Sequence, residues 1–229
     1  MTVADPDLSG WDFGHRENDV RSATTPHPLF FAARLAVSLL AELVYRVGRD
    51  PVIKDATGED LRRVALSNLG ALTVRCSNIV LLLVESGYAP DAFAPQRRLL
   101  EMLLRTREIY RDELGVAAGR WLAHKNFTPM KKLLAVNPEF KRAYERLSRM
   151  AHDDRRALTT LYSPPPWVEC HPNKRALNLF PTLPPPATVG LLRALIEHVV
   201  EITVCIAEVY GEEIVIPAQV GEVLTPAAG

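Results

Sequence analysis

The 229-residue chain carries eighteen prolines, and eight of them fall in one segment, SPPPWVECHPNKRALNLFPTLPPP, residues 163–186. Proline inside a helix removes a backbone donor and clashes with the preceding turn, so this segment is excluded from helix interior. A loop of this length is unusual inside a compact domain. It is expected to be functional or to lie as a strap over the surface, anchored by Trp167, Leu179 and Phe180.

The remaining prolines delimit stretches with helical periodicity. In LFFAARLAVSLLAELVYRVGRDP, residues Leu29, Leu35, Leu39, Leu43 and Val47 recur at helical spacing, and Gly48 and Pro51 supply the stop. Residues 58–86 contain no proline, begin with Thr57 or Gly58 as cap and acids in the first turn, and end at Gly87. Pro90 and Pro95 precede or open a third helix over 92–114. VAAGRWLAHKNFTPMKKLLAVN reads as two short helices split near Thr128–Pro129. Pro138 opens a fourth long helix over 138–162, with Phe140, Tyr144, Leu147, Ala151, Leu158 and Leu161 on one stripe. A fifth covers 187–210. Only EIVIPAQV alternates briefly in the manner of a strand.

These elements predict an all-α fold: an antiparallel bundle of four to five long helices with a long proline-rich loop. Residues 1–25 are expected to be an irregular arm in which Trp11 and Phe13 dock on the body. Residues 26–213 form a single helical-bundle domain, and 214–229 a tail that docks at Ile214–Ile216 and then frays.

The charges balance, with 27 basic and 27 acidic residues. A neutral chain argues against a whole-molecule electrostatic grip on nucleic acid or membrane. Between Asp91 and Arg156, however, fifteen Lys or Arg stand against nine Asp or Glu. The basic middle permits a local anionic partner, although arginine-rich helix faces are usually just solvated. Three scattered cysteines, Cys76, Cys170 and Cys205, form no C-x-x-C and suit a reducing cytoplasm. The polar N-terminus does not read as a signal peptide. The longest strictly apolar run, IVLLLV at 79–84, is far short of a membrane span.

Chemistry concentrates in two helices. On YERLSRMAHDDRR, Ser148 and His152 are i and i+4 neighbours. With Arg155 they lie at the rim of the apolar stripe, and Arg149 points into solvent. A histidine titrating near neutrality is a common acid–base group, but a partly buried histidine bonded to a neighbour is commoner still. On QRRLLEMLLRTRE, Arg97 and Glu101 are also i and i+4, at the rim of an apolar arc into which Arg107 and Arg111 are expected to point. Such an Arg–Glu pair at the edge of a core is expected to hold a polar group from a facing helix. Elsewhere, Cys170 and His171 have no partner pair at zinc spacing. His124 is expected to pack on Trp121, and His198 to be solvated opposite the apolar arc of its helix. There is no GxGxxG, P-loop or G-x-S-x-G; neither a metal nor a cofactor is expected.

RRLLE followed by YERLSRMAH resembles a group of uncharacterised bacterial all-helical proteins with R-x-x-x-E on one helix and Y-x-x-L-S-x-x-x-H on a later one. Arg97 and Glu101 match the first pattern; Tyr144, Leu147, Ser148 and His152 match the second. The resemblance covers roughly residues 60–165 and implies no particular activity. More distantly, Arg146-x5-His152 resembles the R-x4–6-H signature of HEPN domains, helical bundles that include metal-independent ribonucleases. Leu147 stands where that signature usually has a polar residue, and Arg146 and His152 diverge by about 120° on an unbroken helix.

Two functions follow as expectations. In the first, the chain is a binding or interaction module. Arg97, Glu101, Ser148 and His152 form a polar cluster between helices, structural or holding a small ligand or protein partner. In the second, the chain is a HEPN-like ribonuclease with His152 as acid–base and Arg146 and Arg155 steadying phosphate charge. RNA is a partner only in the second. Both describe a cytoplasmic protein without membrane attachment, and both leave a homodimer open.

Overall fold

The computed structural model describes residues 28–48, 57–86, 88–124, 127–151 and 185–225. Among them are eight α-helices and no strand. Helix α1 spans Pro28–Val47, α2 Gly58–Glu85, α3 Phe93–Arg111, α4 Val116–Leu122, α5 Met130–Ala135, α6 Lys141–Ala151, α7 Pro185–Tyr210 and α8 Ala218–Leu224. Short 3-10 turns at Ala89–Ala92 and Pro138–Phe140 lead into α3 and α6.

The start of α2 shows why sequence and structure agree there. Thr57 accepts from the Asp60 amide, and the Asp60 carboxylate accepts in return from the Thr57 amide at 2.9 Å, a complete capping box. Helix α3 stops at Arg111, three residues earlier than its periodicity suggests. The Asp112 carboxylate turns back to accept from the Ala117 amide at the start of α4. Gly115 then adopts φ +71°, and a Cβ on it would lie 2.4 Å from the Gly58 carbonyl oxygen. A left-handed residue with no room for a side chain demands glycine, so the 112–115 turn is locked against the entry to α2.

Helices α1, α2, α3 and α7 build the core. Leu40 and Leu43 of α1, Leu66 of α2, Leu99, Leu100, Leu103 and Leu104 of α3, and Leu195 and Ile196 of α7 are fully buried. Side-chain contacts fix the helix directions. Arg34 reaches Glu85 and Val44 lies against Gly70, so α1 opposes α2. Thr73 meets Met102 and Arg62 meets the Tyr110 carbonyl, so α3 opposes α2. Arg63 stacks on Tyr210 and Gly70 faces Ile206, so α7 opposes α2 as well. Three helices therefore run one way and α2 the other.

The fourth core helix is thus α7, and not the helix that follows Pro138. Helix α6 has no fully buried residue; it lies on the outside, against α3. Its described part ends at Ala151, so Leu158 and Leu161 lie outside the described residues, as do the arm 1–25 and residues 163–184 with Trp167, Leu179 and Phe180. EIVIPAQV is not a strand: Val215 is exposed, α8 begins at Ala218, and Val220 is the side chain that reaches the core. Helices α1 and α2 are long and apolar enough, by length and composition, to cross a membrane; both also contribute side chains to the core.

Candidate functional site

The polar groups of α3 form a seam that joins the helix to α6, to α7 and to the 127–128 and 137–140 segments. At its N-terminal end, Arg97 donates from Nε to Glu101 Oε1 at 3.2 Å, and Arg98 from Nη1 to Glu101 Oε2 at 3.1 Å. Tyr144 of α6 donates its hydroxyl to Glu101 Oε1 at 3.1 Å. Its ring also lies under the Arg97 guanidinium, 5.4 Å from centroid to Cζ. The Glu101 side chain is only 16% exposed, so its charge is met by two guanidiniums and a phenol at the α3–α6 contact.

The expected Arg97–Glu101 pair is therefore present, and the residue that reaches it from the facing helix is Tyr144. Ser148, one turn further along α6, is half-buried and makes no side-chain hydrogen bond to the pair among the described residues. Arg146 is exposed. His152 and Arg155 lie outside the described residues, as do Cys170 and His171. Tyr144 was legible in part, on the apolar stripe four residues before Ser148 at its rim, but its ring suggested packing alone; Arg98 was not singled out.

A second cluster surrounds Arg107. Its guanidinium grips Glu201 of α7 through two bonds, one at 2.9 Å from Nη2. Nη1 donates to Asn137 Oδ1 at 3.0 Å and to Glu139 at 2.6 Å. Phe140 lies against the guanidinium, with its ring centroid 4.6 Å from Cζ. Arg107 does not simply point into an apolar arc, because carboxylates from α7 and from the 137–140 turn come to meet it. Arg111, one turn on, is exposed.

His198 is buried rather than solvated: 6% exposed, beneath the edge of Phe140 with ring centroids 6.1 Å apart. The physical reason lies on α7 itself: Leu191, Leu195, Ile202 and Cys205, at i−7, i−3, i+4 and i+7 on the same face as His198, are all buried, and Phe140 covers the imidazole from outside. Burial, with the Arg107 charge adding to it, pushes the His198 imidazole down to about 4. Its Nδ1 has no hydrogen-bond partner among the described residues. His124 lies beside Trp121 with ring centroids 6.5 Å apart, as its sequence neighbourhood suggested.

Further along α3, Arg105 pairs with Glu108 at 3.1 Å and stacks on Phe127, while Thr128 donates to Glu108. Tyr110 donates to Glu208 of α7. Among the described residues no group of three or more His, Cys, Asp or Glu is placed to hold a metal ion.

Outside this seam, Arg142, Arg146 and Arg149 are all exposed on α6. Their i, i+4, i+7 spacing puts them on one stripe. Among the described residues they form no ion pair, and only Arg149 reaches back, to the Glu145 carbonyl at 3.4 Å. No family model, no curated protein and no solved structure matches this chain.

Proposed function

We propose that the protein is a non-catalytic binding module. In this reading the Arg97–Glu101–Tyr144 cluster fastens α6 to α3, and the outer stripe of Arg142, Arg146 and Arg149 meets an acidic surface on a partner protein. The observation that carries it is the threefold engagement of Glu101. Phosphodiester cleavage calls for cations free to meet developing negative charge. At the α3–α6 contact Arg97 and Arg98 are both already bound to the Glu101 carboxylate, which offsets one of their two charges. Arg142, Arg146 and Arg149, which form no ion pair among the described residues, lie on the far side of α6, spaced along a helix in the manner of a contact surface.

The alternative is a HEPN-like ribonuclease using His152, Arg146 and Arg155. It is favoured by the nearness in sequence of the exposed Arg146 to His152. Two assays on the full chain decide between them. Anisotropy of a labelled polyglutamate peptide should report binding that weakens with salt and is lost in the Arg142→Ala/Arg146→Ala/Arg149→Ala variant. Mixed RNA should remain intact. RNA cleavage by the parent that disappears in His152→Ala would overturn the binding-module reading.

A further inference from the structure

The face of α1 turned away from the core carries Phe31, Arg34, Ser38, Glu42 and Tyr45, all of them exposed. Phe31 is 53% and Tyr45 64% exposed, high values for aromatic side chains. Beside this face runs a groove of about 510 Å³ between α1 and α2, its walls shared between apolar Val37, Ala41, Val74, Leu81 and Leu82 and polar Arg34, Ser38, Asn78 and Glu85. Ile79 and Leu82 of α2 add further exposed apolar surface. Apolar area of this kind, broken by a few charges, marks an interaction surface.

We propose that this face is the interface of a homodimer, in which α1 packs antiparallel on α1 of a second copy about a two-fold axis at Ser38. A two-fold axis brings one patch against itself, so residue 38+n of one copy faces residue 38−n of the other. Any helix face is positionally symmetric about its middle residue; the chemistry of this one is matched as well. Arg34 falls opposite Glu42, and Glu42 opposite Arg34. Phe31 falls opposite Tyr45 at each end of the contact, aromatic side chains of the kind enriched at interfaces. Ser38 at the axis is small enough for the two helices to approach closely.

The charges are available for this pairing. Glu42 has no ion-pair partner among the described residues. Arg34 is bound to Glu85 at 2.9 Å through one nitrogen, yet its side chain remains 54% exposed. A guanidinium has five N–H donors in all, so Arg34 can serve Glu85 within its own chain and Glu42 across the axis. Across the two helices the face carries Arg34, Glu42, Arg75 and Glu85, equal in sign count. That balance suits a self-complementary contact and offers no net attraction to an anionic lipid surface or to nucleic acid.

Sedimentation equilibrium of the full chain should show a monomer–dimer equilibrium. Glu42→Arg places like charges face to face twice per dimer and should raise the dimer Kd about tenfold or more. Arg34→Glu should do the same. An equimolar mixture of these two variants restores both opposite-charge pairs, so it should form a heterodimer of parental affinity, visible as the mixed mass by native mass spectrometry. Because Arg34→Glu also removes the Glu85 bridge, a second measurement avoids it. Ser38→Cys should cross-link to its own copy with a short bismaleimide, beyond the background of the parent cysteines, and more efficiently than Glu42→Cys. The proposal fails if the parent is monomeric and instead partitions onto neutral lipid vesicles. It fails equally if a parental dimer is indifferent to Glu42→Arg, or if Ser38→Cys links no better than Glu42→Cys.

Discussion

Burial holds the His198 imidazole near a pKa of about 4, with the Arg107 charge acting in the same direction. In the unfolded chain the group titrates near 6.5. As pH falls below that value, the unfolded chain takes up a proton that the folded chain does not. This contribution to stability is therefore complete above about pH 6.5 and drains away as pH approaches 4. The full difference is of the order of 3 kcal/mol. Urea melts of the parent should lose more stability between pH 7 and 4.5 than melts of His198→Leu; equal losses would show that His198 titrates as a solvated group. Two glycines give a second expectation at this scale. A Cβ at Gly70 would meet only side-chain methyls, Val44 Cγ2 at 2.6 Å and Ile206 Cδ1 at 2.8 Å, whereas at Gly115 it would meet the Gly58 backbone. Gly70→Ala should cost about 1–3 kcal/mol through overpacking. Gly115→Ala, with left-handed strain added, should lower the thermal midpoint further; the reverse order would contradict the close approach of the 112–115 turn to α2.

Helix α6 alone among the described helices has no buried residue; it docks through partly buried side chains, among them Tyr144, Leu147 and Met150, and through the Glu101 bonds. Amide exchange over 141–151 should be faster than over α3, and faster again in Glu101→Ala, which removes the acceptor shared by Arg97, Arg98 and the Tyr144 hydroxyl; unchanged exchange there would show that Glu101 does not hold the helix. Much at this scale was legible in the sequence. The α2 cap follows from Thr57 and Asp60, and the split between α4 and α5 from Thr128–Pro129. Other features depend on contacts between distant segments, to which one helix's periodicity is blind. His198 does not fall under that limit: Leu191, Leu195, Ile202 and Cys205 stand on its own face of α7 and are buried, so the periodicity itself carried the signal for its burial. The same limit hid Tyr144: its place on an apolar stripe was readable, whereas its hydroxyl reaching a carboxylate on another helix was not. Helix α3 ran short because the side chain of Asp112 caps α4 in place of continuing its own helix.

Over the whole molecule, one core joins α1, α2, α3 and α7, with Cys205 buried within it. Burial, then the neighbouring Glu201 and Glu208 charges, push the Cys205 thiol up to about 11. Burial also raises Cys76, although that side chain is only half covered. A thiol reagent at neutral pH should therefore label Cys76 in the native protein and Cys205 only as fast as the molecule opens. Early labelling of Cys205 would mean that the core opens locally around α7. The proposed function adds to this core an outer layer, in which Glu101 fastens a basic helix without taking part in chemistry. The most direct test is a double-mutant cycle in urea on Glu101→Ala and Tyr144→Phe. If the cluster is a structural clamp, Glu101→Ala destabilises by about 1–3 kcal/mol. Tyr144→Phe costs less once Glu101 is gone, with a coupling of about 0.5 kcal/mol or more. Melts that match the parent for both single variants, with no coupling between them, would contradict the account.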